Sequence, residues 1–149
     1  MADFNQTQSV ALPFNKSLLG GVLSGWIGGV VFGMMMGMMG MLPMIGKMVG
    51  APSAVVGFIV HMVISAILGI GFAVVFGRVA QRPSTSWLWG LLYGSIWWIL
   101  GPLTMMPLMM GMGLQWSAAA AAKAMHSLMG HLIYGGLAGL SFAYITRKI

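Results

Sequence analysis

The feature that most constrains this chain is a succession of four long apolar stretches joined by short connections. They cover about residues 18–42, 55–77, 87–110 and 117–145. As helices, all four are long enough to cross about 30 Å of hydrocarbon. Continuous apolar runs predict helices, because barrel strands alternate and lipid leaves backbone groups no other partner. We therefore predict an all-α integral membrane four-helix bundle, preceded by a cytoplasmic tail at residues 1–17.

Charge is too scarce for a water-facing surface. Only 5% of the 149 residues are charged, against about 25% in a typical soluble domain. The one acidic residue is Asp3, so no carboxylate lies in the predicted spans. Most enzyme mechanisms and carboxylate-coupled transport are thereby disfavoured, and we expect no enzymatic activity. Cysteine is absent, which excludes disulfides and thiolate sites, and the scattered basic residues do not indicate nucleic-acid binding.

The basic residues predict the orientation. One side of the membrane would carry five of them and the other side only Lys47 and Lys123. The five are Lys16, Arg78, Arg82, Arg147 and Lys148. Loops rich in Lys and Arg stay in the cytoplasm. We therefore predict a multi-pass protein of the inner (plasma) membrane with both termini cytoplasmic.

The two predicted helical hairpins resemble each other. A shift of 70 positions places His61 on His131 and Gly69 on Gly139, and a shift of 69 places Gly21 on Gly90. Each unit has two spans, so the sequence predicts tandem hairpins related by a parallel pseudo-repeat. In so biased a composition, coincidence is the alternative explanation.

Small residues recur at four-residue spacing along the predicted helices. The first helix carries Gly21, Gly25, Gly29, Gly33 and Gly37. The other helix-packing candidates are Gly57, Ser65, Gly69, Gly90, Gly94, Gly135 and Gly139. Such ridges let helix backbones approach closely in lipid, where association depends on packing. They predict either a tight internal core or a face offered to another membrane protein.

Two histidines, His61 and His131, occupy equivalent positions near mid-membrane on the second and fourth predicted helices. An ionisable residue at this depth suggests a function. One hypothesis makes the two imidazoles axial ligands of a b-type haem. The alternative is a neutral imidazole that forms hydrogen bonds between helices.

Many of the 17 methionines gather at the predicted outer ends of the first and third helices. Met35 and Met39, like Met105 and Met109, stand one helical turn apart, and His126 falls on the same side. Thioether and imidazole ligands suit Cu(I), so these five residues form a candidate metal site. The alternative is flexible apolar packing. Pro102 and Pro107 predict a kink or break nearby.

Four segments carry a resemblance: MLPMIG at 41–46, GFIVHMVIS at 57–65, LLYGSIWWILGPL at 91–103 and SLMGHLIYG at 127–135. In them the chain resembles uncharacterised small bacterial membrane proteins with four spans. The resemblance implies a fold and a membrane location but no activity. In general character the chain is also similar to the small extra subunits of respiratory and photosynthetic membrane complexes.

The leading functional expectation is a non-enzymatic scaffold or accessory subunit. Its glycine-ridged helices would pack against each other and against a membrane-protein partner or a second copy, in contact with lipid. A small Cu(I)-handling membrane protein is the first alternative. A carrier of b-type haem on His61 and His131 is the second.

The predicted orientation can be tested on the natural cysteine-free background. A cysteine at Ser84 should resist an impermeant thiol reagent in intact cells, because its loop carries Arg78 and Arg82. A cysteine at Ser53 should react. The reverse labelling pattern would contradict the orientation.

Overall fold

The computed structural model describes residues 13–149, which form helices and connecting loops without any strand. Residues 1–12, most of the predicted tail, lie outside this range, and the rest of the tail is helical from Phe14 onward. The elements are α1 (Phe14–Met38), α2 (Leu42–Lys47), α3 (Ala54–Phe76), α4 (Pro83–Leu100), a π-helix (Gly101–Met105), α5 (Met106–Met109), α6 (Ala118–Lys123) and α7 (Met125–Thr146).

Four of these helices are long and apolar enough to cross a membrane: α1, α3, α7, and α4 with its continuation to Met109. The predicted all-α membrane four-helix bundle is thereby confirmed. The boundaries differ in places from the predicted ones. The first span ends at Met38, after which α2 forms a separate short helix. The fourth stretch is interrupted at Ala124, so its spanning segment begins only at Met125.

The helices pack in the cyclic order α3, α1, α7, α4. Contacts are extensive between α1 and α3, between α1 and α7, and between α4 and α7, whereas α3 and α4 scarcely touch. Successive spans run in opposite directions, so the bundle has two distinct ends. We call the end where α1 begins and α7 finishes the basic end, because it carries Lys16, Arg78, Arg82, Arg147 and Lys148. The opposite end is the methionine end.

Backbone contact at glycines joins α1 to α3. A Cβ built on Gly21 would lie 2.6 Å from the Gly69 carbonyl oxygen, and one on Gly25 would overlap the Ser65 carbonyl oxygen. A Cβ on Gly29 would lie 2.5 Å from the Ser65 hydroxyl oxygen. Real side chains do not approach so closely, so this portion of the predicted ridge is the α1–α3 interface.

The same arrangement joins α4 to α7. Built Cβ atoms on Gly90 and Gly139 would meet the carbonyl oxygens of Gly135 and Ser86 respectively. Gly94 lies against the His131 carbonyl. The Ser86 hydroxyl also donates a hydrogen bond to the Gly139 carbonyl.

These contacts correct the register of the repeat. Gly69 meets Gly21 and Gly25, while its equivalent Gly139 meets Ser86 and Gly90. A shift of 70 positions superimposes α3 on α7, and the contacts show that the matching shift from α1 to α4 is 65. This value differs from the predicted 69 by about one helical turn. Gly21 corresponds to Ser86, because either small residue permits the close approach.

A second small-residue ridge on α1, not anticipated from the sequence, faces α7. Gly20 lies against Thr146 and Phe142, and a Cβ on Gly28 would be 2.6 Å from the Tyr134 carbonyl oxygen. Between them Ser24 is fully buried and donates to the Gly21 carbonyl at 3.0 Å. The glycine pairs at 20–21 and 28–29 supply one glycine to each neighbouring helix. Helix α1 is therefore in contact with helices on two sides.

The outer members of the predicted ridges have other neighbours. Gly33 faces the Phe58 and His61 rings of α3, and Gly57 lies against the Leu42 carbonyl of α2. Gly37 meets only a Leu42 methyl carbon, at 3.4 Å from a built Cβ. Close backbone contact between α1 and α3, the α1–α3 seam, thus stops before the methionine end, where α2 packs against α3 instead.

Aromatic side chains fill the bundle interior towards the basic end. Phe72 and Phe142 are fully buried with ring centroids 5.6 Å apart, and Tyr93 packs edge-to-face on Phe72 at 5.4 Å. The Tyr93 hydroxyl donates to the Leu68 carbonyl at 2.7 Å, which ties α4 to α3 where their backbones stand apart. Outside, α3 exposes a row of apolar side chains, including Ile59 and Ile67, as contact with lipid requires.

The seam can be tested with two equivalent substitutions in α1. Gly25→Ala should destabilise the folded bundle by about 1–3 kcal/mol, because its methyl group would overlap the α3 backbone. Gly37→Ala is the matched control and should be neutral or slightly stabilising, since its methyl group has space and alanine favours helix. Reversible unfolding in mixed micelles measures both. Equal effects would show that the seam is not the stabilising contact.

Candidate functional site

A cavity of about 520 Å³ opens at the methionine end of the bundle. Its wall is almost entirely apolar and includes all three histidines, His61, His126 and His131. The methionines that line it are Met36, Met41, Met44, Met48, Met105, Met106, Met110 and Met112. The two methionine groups recognised in the sequence therefore meet around one cavity.

Helix α2 forms one wall and is fixed by close backbone contact. Gly57 of α3 lies directly against the Leu42 carbonyl, and a Cβ on Gly46 would come within 2.8 Å of the Ser53 carbonyl oxygen. Pro43 occupies the first turn of α2, where a missing N–H costs nothing. The α2 methionine Met44 is thus held beside α3 at the cavity.

The opposite wall is the distorted end of the third span. Gly101–Met105 forms a π-helix that contains Pro102, and Pro107 follows in α5. Proline cannot donate to the carbonyl four residues earlier, and Pro107 therefore frees the Leu103 carbonyl. The backbone N–H of Gln115 donates to that carbonyl at 3.0 Å, which folds the following loop back over the cavity. The predicted kink is thus a π-helical segment.

The interruption before α7 forms the third wall. The Trp98 indole N–H donates to the Ala124 carbonyl at 3.0 Å, at the point where α6 ends and α7 begins. Lys123 and His126 flank this point, line the cavity and are exposed. They stand at its mouth.

His61 bridges two helices. Its Nε2 lies 2.9 Å from the Gly29 carbonyl oxygen of α1 and 3.4 Å from the Ser65 hydroxyl. A carbonyl oxygen only accepts, so Nε2 carries the proton and Nδ1 keeps its lone pair in the neutral ring. The interhelical hydrogen bond predicted for this histidine is present.

His131 differs from its repeat equivalent. Its Nδ1 donates to the Ser127 carbonyl of the same helix at 2.8 Å, which leaves the lone pair on Nε2. That atom faces the π-helix, 3.6 Å from a Cβ built on Gly101. His131 therefore presents an unprotonated nitrogen to the cavity wall rather than a bond between helices.

Phe32 contacts both imidazoles. Its ring centroid is 5.4 Å from that of His61 and 4.9 Å from that of His131, with edge-to-face geometry in each case. The ring also fills the space that a side chain at residue 130 would need. A haem held by both imidazoles would have to displace Phe32 and break the His61–Gly29 hydrogen bond. The geometry therefore does not fit the predicted bis-histidine haem site.

The candidate metal ligands fall into two groups. Met105 and His126 line the cavity, whereas Met35, Met39 and Met109 do not. The α1 methionine that lines the cavity is Met36, which is 5% exposed and stands one turn after Phe32, another lining residue. The MxxxM spacing on α1 selected Met35 and Met39, which lie on a face of the helix that does not line the cavity. No spacing within α1 distinguishes Met36 from Met35, because the choice depends on how the helix is rotated in the bundle.

Thioethers are the abundant donors here. Among residues 13–149 no three His, Cys, Asp or Glu side chains lie close enough to hold one ion. The described residues also include no Asp or Glu. Any metal site in this range of the chain therefore depends on methionine sulfur beside imidazole.

Comparison with known proteins adds no assignment: no family model, curated protein or solved structure matches this chain.

The two histidines should differ in their effect on stability. His61→Leu should lower bundle stability by about 0.6 kcal/mol, a typical value for an interhelical hydrogen bond in membranes, because leucine cannot donate to the Gly29 carbonyl. His131→Leu should change it less, because the His131 bond stays within α7. Unfolding in mixed micelles measures both variants. Equal losses, or a bis-imidazole Soret band in the purified protein, would contradict this assignment.

Proposed function

We propose that this chain is a non-enzymatic membrane protein that binds Cu(I) in the cavity at its methionine end. The observation that carries the proposal is the convergence of eight methionines and three histidines on one cavity. Thioether and imidazole donors select soft cations, and Cu(I) is the soft monovalent cation that such sites favour.

The absence of acidic side chains from the described residues of the cavity wall also favours a monovalent ion. The described residues include no Asp or Glu, so the methionine and histidine donors around the cavity are neutral. The cost of bringing an ion out of water rises steeply with its charge, and a divalent ion would have no counter-charge here. A monovalent ion fits this environment better than Zn²⁺ or Ca²⁺.

His131 is the proposed first ligand. Metal-binding histidines usually donate their second ring N–H to a backbone carbonyl or carboxylate, which fixes the tautomer and ring orientation. The Nδ1–Ser127 bond provides that support and leaves Nε2 towards the cavity wall at Gly101. Met106 of the third span and Met110, directly after that span, line the same cavity and supply candidate sulfur ligands.

The scaffold hypothesis has less support from the geometry. A partner would need a glycine face, but the inner residues of these ridges are occupied within the chain, as at Gly25 against Ser65 and Gly90 against Gly135. The outer apolar surface fits lipid equally well. We therefore place metal handling ahead of an accessory-subunit role. We also propose that the cavity faces the outside of the plasma membrane, because the basic end would be cytoplasmic.

Titration of the purified protein with Cu(I), under reductant and against a chromogenic chelator, tests the proposal. Changing Met36, Met106 and Met110 together to Leu keeps side-chain volume and removes sulfur. We expect the dissociation constant to rise at least about tenfold, equivalent to about 1.4 kcal/mol. His131→Gln should act in the same direction.

The matched control changes Met34, Met38 and Met129 to Leu, since these are exposed and lie outside the cavity wall. It should bind Cu(I) within about twofold of the wild type, because every proposed ligand is retained. Equal losses in both triple variants, or a wild type that does not bind Cu(I), would overturn the proposal.

A further inference from the structure

We infer that the cavity exchanges its ion only through the methionine end, so that the protein accepts and releases Cu(I) at one membrane face and is not a conduit. The inference rests on the proposed function. Any donor or acceptor of the ion would then have to act on that same face.

The floor of the cavity is closed by aromatic side chains. Its deepest lining residues are Leu68, Trp97 and Tyr134, and Phe72 and Phe142 pack directly beyond them. Both phenylalanine rings are fully buried. The Tyr134 hydroxyl donates to the Ser65 carbonyl at 2.9 Å, which ties α7 to α3 at this depth.

The helix seams leave no second route. Below the floor, α1 meets α3 at Gly21 and Gly69, and α4 meets α7 at Gly90 and Gly139, in each case with backbone against backbone. Gly20 meets Thr146 between α1 and α7. An ion could pass there only by forcing the packed helix backbones away from each other. The remaining pair, α3 and α4, is filled by Tyr93 and its neighbours.

The methionine and histidine ligands are also confined to the cavity side of the floor. Every methionine and histidine of the described residues lies in the half of the bundle that contains the cavity. The buried hydroxyls beyond the floor belong to Ser24, Ser86, Tyr93 and Thr146, and each already donates to a backbone carbonyl. A soft cation moving towards the basic end would therefore lose all soft ligands at once.

At the mouth, by contrast, ligands are accessible. Met110 and Met112 line the cavity and are 46% and 60% exposed. They flank Gly111, whose φ of 73° lets the chain turn tightly between them. A partner can thus contact one sulfur while deeper ligands still hold the ion, as ligand-by-ligand exchange requires.

Proteoliposomes provide the test. Purified wild-type protein is loaded with Cu(I), freed of excess metal, and reconstituted in both orientations. In a parallel sample, single cysteines at Ser53 and Ser84 with an impermeant thiol reagent give the fraction of molecules whose methionine end faces out. Bathocuproine disulfonate, a charged chelator that does not cross the bilayer, is then added outside.

We expect the chelator to remove the fraction of Cu(I) that equals the fraction of molecules with the methionine end outward. The rest should become available only when detergent opens the vesicles. If the chelator also removed Cu(I) from molecules with the basic end outward, the inference that the cavity exchanges its ion only through the methionine end would be wrong. Failure of the proposed function appears separately and earlier, as a lack of Cu(I) binding in detergent.

Discussion

Backbone-to-backbone contact at glycine is the interaction on which the rest of this bundle depends. Apolar side chains gain little by leaving lipid for one another, so helix association must come from close packing. Gly69 of α3 and Gly139 of α7 each lie between two small residues of the preceding span. These contacts set the spacing of the helices, because a Cβ at any of these glycines would meet the facing backbone.

The cavity arises where that contact is lost. Along α1 the small residues give way to Phe32 and Met36, and Gly37 no longer touches a neighbouring span. On the third span, Pro102 and Pro107 interrupt regular helix at the same level. The bundle is therefore narrow at its basic end and wide at its methionine end, and flexible thioethers line the widened region.

The number of spans and the fold class were predictable. The apolar stretches are long enough to cross the hydrocarbon, and in lipid the backbone groups of such stretches can form their hydrogen bonds only within helices or closed barrels. The glycine face of α1 was also predictable, since four-residue spacing puts Gly21, Gly25 and Gly29 on one side of the helix, but the sequence did not say that α3 packs there. The register of the second hairpin was not predictable. Gly21 and Ser86 occupy equivalent positions because both residues are small. An alignment that matches glycine only with glycine does not reveal this equivalence. Spacing within one helix likewise could not choose Met36 over Met35, because that choice depends on how α1 is rotated against two neighbours.

The double ridge of α1 has a consequence for biosynthesis. The α1–α3 seam joins consecutive spans, and so does the α4–α7 seam; each can close as soon as its own hairpin has entered the bilayer. The contacts of Gly20 and Gly28 with α7, however, join the first span to the last. That face of α1 stays without its partner until α7 has been synthesised and inserted. During this interval the nascent hairpin exposes a groove of small residues to lipid, where an insertase or another hairpin could dock before α7 arrives.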